Sequence, residues 1–171
     1  MLGILLEAPW VRMAAFASLV LAVQTTLCAD LRWHGAGADL VLLLAIAVGI
    51  AAGPVRGART AFVLGLCFDL LILTPYGLSA LSYSLVGFLV GLIEPHVYRA
   101  RHFVTPLVVG VASVVGSLLY AVTANIFGVN DALTGAIWRV LLVATVVNML
   151  LAAPFVRVCR WVMLGGDRAR W

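Results

Sequence analysis

Seven acids, three histidines and three cysteines are the first side chains of this 171-residue chain to weigh for acid–base, nucleophilic or metal chemistry. None of them falls into a catalytic pattern. There is no H-E-x-x-H, no G-x-S-x-G, no phosphate-cradling glycine loop and no pair of acids at helical spacing. Glu94, His96 and His102 can be drawn as a metal cluster, but Pro95 and the neighbouring Arg99 and Arg101 read as an interfacial loop instead. Cys28, Cys67 and Cys159 cannot all pair and sit in no metal or redox spacing, so they read as small apolar residues. The expectation is a chain with no catalytic residue, no metal and no cofactor.

The polar residues that remain lie inside apolar runs. Asp69 follows Arg59 by ten residues, about 15 Å along a helix, and shares a face with Gly65 and Ala61. A carboxylate at the centre of a membrane helix costs roughly 2.5–3.5 kcal/mol, so it should point into a bundle. Two readings stay open for it. One is a ligand for a substrate or ion. The other is a structural, hydrogen-bonded acid, close enough to Pro75 to reach interfacial water. Gln24 falls on the face of Ala14, Ala17 and Leu21; Asn148 falls with Ala144 and Ala152; Asn125 borders a face of small residues. Such amides bridge helices for about a kcal/mol or less each, or line a pocket. Asp39 precedes an apolar run, where the positive end of a helix dipole favours an acid.

The elements that must position these residues follow from composition. The chain is 64% hydrophobic and 11% charged, with a mean hydropathy of +1.15. A soluble domain carries about 45–50% apolar and 25% charged residues. A span needs roughly 20 apolar residues, so six would use about 120 and leave no room for a sizeable extramembrane domain. Apolar runs place helices at 10–28, 38–54, 57–74, 77–93, 104–127 and 134–163, in one polytopic domain covering 1–171. Turn signals separate them: Asp30-Leu31-Arg32-Trp33-His34-Gly35, Gly53-Pro54-Val55-Arg56-Gly57, Thr74-Pro75-Tyr76-Gly77, the Glu94–His102 stretch and Gly128-Val129-Asn130-Asp131. No A-x-A site follows the first run, which is therefore expected to be retained as a span.

All eleven cations are arginine, and the net charge is +4. A basic balance can mark nucleic-acid binding, but here it follows from arginines that flank spans. Six spans put nine arginines on one side and only Arg32 and Arg139 on the other. The arginine-rich side faces the cytoplasm, with both termini. Small residues at steps of three and four allow helices to pack closely in lipid. The fourth span carries Gly77, Ala80, Ser84, Gly87 and Gly91, a face for helix packing or for a partner. The fifth carries Gly110, Ser113, Ser117, Ala121, Ala124 and Gly128. The second carries Ala38, Ala45, Gly49 and Ala52, and the third Ala58, Ala61 and Gly65.

The order of residues between Gln24 and Gly91 carries a family resemblance. Gln24-Thr25-Thr26-Leu27 ends one span and Ala38-Asp39-Leu40-Val41-Leu42-Leu43-Leu44 opens the next. The turn Gly53-Pro54-Val55-Arg56-Gly57, the segment Gly65-Leu66-Cys67-Phe68-Asp69-Leu70 and the run Tyr76-Gly77-Leu78-Ser79-Ala80-Leu81-Ser82-Tyr83 follow, then Leu85-Val86-Gly87-Phe88-Leu89-Val90-Gly91. This pattern resembles the rod shape-determining protein MreD family, with Ala38 where that family often has proline. The resemblance implies an all-α integral membrane protein, a six-transmembrane-helix bundle similar to the substrate-binding subunits of energy-coupling-factor transporters. It implies a non-enzymatic scaffold of the cell-wall elongation machinery in the bacterial inner membrane, acting in rod shape and peptidoglycan synthesis. The implied partners are an MreC-like single-span protein, the MreB cytoskeleton and the RodA/penicillin-binding-protein synthase. The bilayer is its surroundings, and no nucleic acid is expected. The shared architecture also leaves open a vitamin-binding subunit of an energy-coupling-factor transporter, which would need polar groups converging on an outer cavity; Asp69, Asn125 and Arg32 are the few candidates.

The arginine split makes a topological prediction. A phosphatase fused after Trp171 should be inactive, and one inserted at Gly35 active. Activity at Trp171, or none at Gly35, contradicts six spans with cytoplasmic termini.

Overall fold

The run Leu40–Ala52 has no polar side chain on any face, and a helix that is apolar all round is stable where other helices surround it. That is its place in the fold. The computed structural model describes residues 9–26, 38–72, 75–99, 104–128 and 137–164. Its helices are α1 (Pro9–Thr25), α2 (Leu40–Ala52), α3 (Pro54–Ile72), α4 (Leu78–Arg99), α5 (Val104–Ile126) and α6 (Ile137–Leu164), with no strand among the described residues. The central helix α2 touches all five others, which close around it in the order α1, α6, α5, α4, α3. Every residue from Leu40 to Ala51 is buried, and Val41 through Val48 are wholly shielded. The seam between α3 and α1 is the thinnest in the ring.

Contacts near the helix ends show that the helices alternate in direction. Gln24 at the end of α1 bonds the start of α2. Gly57 near the start of α3 lies against Gly49 near the end of α2, and Gly91 late in α4 lies against Pro54. Thr123 late in α5 meets Ser82 early in α4. Arg12 early in α1 sits over the ring of Trp161 late in α6, 5.2 Å from its centroid, and Phe16 stacks at a tilt on Phe155 at 5.7 Å. One end of the bundle therefore carries Arg12, Arg56, Arg59, Arg157 and Arg160, and the other carries Asp39 and Asp69.

The outer surface is apolar. Large exposed side chains include Val63 and Leu71 on α3, Leu81 and Leu92 on α4, Leu107 and Val111 on α5, and Leu142 and Leu150 on α6. So extended an apolar exterior is foreign to a protein surrounded by water. Among the described residues, Val104–Ile126 and Leu141–Met163 are each long and apolar enough to cross a membrane.

Three expectations about the elements change. The turn at Gly53–Gly57 shrinks to Gly53 alone, whose φ of 83° and lack of a side chain suit the sharp reversal. Pro54 then starts α3, because the first helical position needs no N–H. α4 continues through Glu94, Pro95 and His96 to Arg99 rather than stopping in a loop; a proline inside an apolar run marks a probable boundary, not an obligatory one. The second span does not present one small-residue face to a neighbour, because all of its faces are packed. The loops at 30–35 and 129–136, with Arg32, His34 and Asp131, lie outside the described residues, as does His102.

Small residues let α2, α3 and α4 approach to backbone contact. A Cβ on Gly49 would stand 2.6 Å from the carbonyl oxygen of Gly87, and one on Gly57 2.8 Å from both that oxygen and the Cα of Gly49. On Gly65 it would stand 2.5 Å from the Cα of Ala80, and on Gly91 it would collide with the backbone of Pro54. Backbone cannot swing aside as a flexible side chain can. Replacing Gly91 with leucine should therefore destabilise the protein by at least about 1–3 kcal/mol. The measurement is abundance in the membrane fraction together with Tm in detergent. Normal values for both would place Gly91 outside the packed seam.

Candidate functional site

The polar side chains gather at the acid-bearing end, where they finish the buried helix ends. A helix leaves its first N–H groups without internal partners, and inside an apolar bundle water does not replace them. At α2 two residues provide for them. The Oδ1 atom of Asp39 accepts from the Leu42 N–H at 2.9 Å. Gln24 reaches across from α1, accepting the Leu40 N–H at 2.8 Å through Oε1 and donating to the Ala38 carbonyl at 3.0 Å through Nε2. The second oxygen of Asp39 accepts from the Tyr83 hydroxyl at 2.7 Å, which ties α4 to the same point. Tyr83 is buried and its ring stacks on Tyr120 of α5 at 6.4 Å.

Asp69 does for α4 what Asp39 does for α2, from a different helix. Its carboxylate is fully buried. It accepts from the Gly77 N–H at 3.0 Å and from the Ser79 N–H at 3.2 and 3.1 Å to its two oxygens. An acid at this position also meets the positive end of the α4 dipole. These bonds are the ones the structural reading of Asp69 expects.

The remaining amides divide. Asn148 is fully buried and donates to the Ser113 hydroxyl at 3.0 Å, joining α6 to α5; its Oδ1 has no hydrogen-bond partner among the described residues. Asn125 is a correction. It is exposed in the last turn of α5, because the inward face there passes through Ala121 and Ala124. Its backbone carbonyl accepts from the Gly128 N–H at 3.2 Å in the turn that follows. Thr123 makes the interhelical bond instead, 3.1 Å from the Ser82 hydroxyl.

The small-residue face of α4 also divides. Ala80, Gly87 and Gly91 pack against α3 and α2. Gly77 precedes the helix, with a φ of 94° that favours glycine, and is a turn residue. Ser84 is half-buried, bonds back to the Leu81 carbonyl and lines an outward-facing groove of about 400 Å³ with Leu81, Ser82, Leu85, Phe88 and Thr123. Spacing alone placed Gly77 on the helix because a period of three to four does not mark where a helix begins. Tyr83 and the Ser82–Thr123 pair were missed. Tyr83 lies 44 residues from Asp39 and Ser82 lies 41 from Thr123, and no local pattern encodes either pairing.

Among the described residues no three histidines, cysteines or acids cluster where a metal would bind; the side chains of Glu94 and His96 and the whole of His102 lie outside them. Among the described polar groups, Asp39, Gln24 and Asp69 cap helix starts, and Tyr83, Asn148 and the Ser82–Thr123 pair bond one helix to another. The class defined is an all-helical bundle with an apolar exterior and a capped, fully enclosed central helix. The chain matches the model of the rod shape-determining protein MreD family over residues 7–162, and it belongs to that family. Comparison with curated proteins finds no match, and neither does comparison with solved structures.

The capping arrangement predicts a graded response at Asp69. Asn keeps one acceptor oxygen and should cost about 1 kcal/mol, whereas Ala removes both and should cost about 2 kcal/mol or more. Tm of the two variants in detergent reads the difference. Equal and negligible losses would remove Asp69 from the cap.

Proposed function

We propose that this protein, to which membership of the family gives a role in rod shape determination, is a non-enzymatic scaffold of the cell-wall elongation machinery. In this reading residues 1–171 form one six-span domain in the bacterial inner membrane, with both termini in the cytoplasm. It joins an MreC-like single-span partner to the peptidoglycan synthase and the MreB cytoskeleton. The observation that carries the reading is the use of the polar interior. Asp39, Asp69, Gln24 and Asn148 each hold one helix to another or to its own end. A scaffold needs a rigid body of this kind. A vitamin-binding subunit draws less support, since α2 fills the centre of the bundle. The apolar exterior and the arginine-bearing end favour the membrane placement.

Copurification tests the scaffold. A tagged MreC-like protein should retain the chain in detergent, and a tagged unrelated single-span protein should not. Absence of retention at normal abundance of both proteins, together with saturable uptake of a vitamin, would support the transporter reading.

A further inference from the structure

Near the middle of α5 and α6 the packing leaves buried polar atoms only partly satisfied. Asn148 and Ser113 are wholly buried, and the amide Nδ2 donates to the Ser113 hydroxyl at 3.0 Å. The other amide atom, Oδ1, is shielded and has no hydrogen-bond partner among the described residues. The same holds for the hydroxyl of Thr145, three residues earlier on α6. Helical hydroxyls elsewhere in the bundle bond to their own helix: those of Ser18, Thr25, Ser82 and Thr123 each donate to the carbonyl four residues back. Thr145 makes no such bond. A shielded acceptor and a shielded hydroxyl thus stand about one turn apart on one face of α6, in surroundings where an unmet polar group is costly.

We propose that these groups bind one water molecule between α5 and α6. The water donates to Asn148 Oδ1 and accepts from the Thr145 hydroxyl. The Ser113 hydroxyl, which accepts from Nδ2, has its own proton to give as a third bond. Two to four such bonds hold a typical buried water. The reach fits: residues three apart on a helix have Cβ atoms about 5–6 Å apart, and one water joins two oxygens separated by up to about 5.6 Å, twice a hydrogen bond of about 2.8 Å. The size fits as well. Ala144 and Ala152, one turn to either side of Asn148, are small and buried. Met149 against Gly110 and Leu42 against Gly116 close the α5 side about a turn to either side of Ser113. With no acid among them, the three side chains suit a neutral ligand rather than a divalent cation.

The test is the sign of a stability change in the full chain, read as Tm in detergent. Thr145→Val keeps the shape of the side chain and removes its hydroxyl. With a bound water the substitution takes away a hydrogen bond, and Tm should fall by about 2–4 °C. With an unbonded hydroxyl, valine relieves a buried polar group and Tm holds or rises, which overturns the proposal. Asn148→Leu supplies the second arm. In its background the loss from Thr145→Val should vanish, because both side chains hold the same water. A loss of equal size in both backgrounds means that Thr145 bonds only its own helix, and overturns the site. If Asn148→Leu does not fold, Ser113→Ala takes its place, and the loss from Thr145→Val should shrink in that background. A structure at a resolution that shows ordered water gives the direct reading. One peak within about 3.2 Å of both Asn148 Oδ1 and Thr145 Oγ1 is expected; no peak there, or a protein atom in its place, overturns the proposal.

Discussion

The structure depends on enclosing a helix completely. From Leu40 to Ala51 α2 has almost no surface left for water or lipid, so its buried backbone must find its partners within the protein. An unsatisfied N–H in such surroundings costs several kcal/mol. Asp39 and Gln24 supply the partners at its start, and the Gly53 N–H returns to Gly49 at its end at 3.0 Å. Each of these bonds also fixes a neighbour. Gln24 sets the height of α1 against α2, and Asp39, through Tyr83, sets the height of α4. Capping and helix packing are therefore one interaction here.

The second requirement is close approach. Burying apolar side chains cannot drive association in a solvent as apolar as they are; contact area and hydrogen bonds must do it. Glycine at 49, 57, 65, 87 and 91 brings the backbones of α2, α3 and α4 into contact. On the α5 and α6 side the fit is made by larger groups meeting glycines, with Leu42 against Gly116 and Met149 against Gly110. The bundle thus has a tight half, joined backbone to backbone, and a half interleaved by flexible side chains.

Hydrophobic runs showed the helices, because length and composition alone separate apolar segments from turns such as Tyr76-Gly77. The ends moved where proline was involved, at Pro54 and Pro95. The centre of the bundle was not legible. In a water-soluble protein the difference between polar and apolar faces tells which side is buried, but here the exterior residues Leu107, Leu142 and Leu150 are as apolar as the interior Leu42 and Leu43. What remained readable was polarity itself. Gln24, Asp39, Asp69 and Asn148 stood out as residues that must be satisfied internally, and each is hydrogen-bonded within the protein. Their partners are backbone groups and residues far away in the chain, which spacing does not reveal.

The position of α2 has a consequence for how the chain is assembled during synthesis. α2 is made before α3 and α4 and ends at the centre. α3 and α4 follow it directly and lock to it through the glycine seam, so a three-helix unit can form early. The flank of α2 that meets α6 stays bare until α6 has been made. Contact between α6 and α1 then joins helices far apart in the sequence. A ribosome that stops short of α6 releases a polypeptide in which that flank of the central helix is still uncovered.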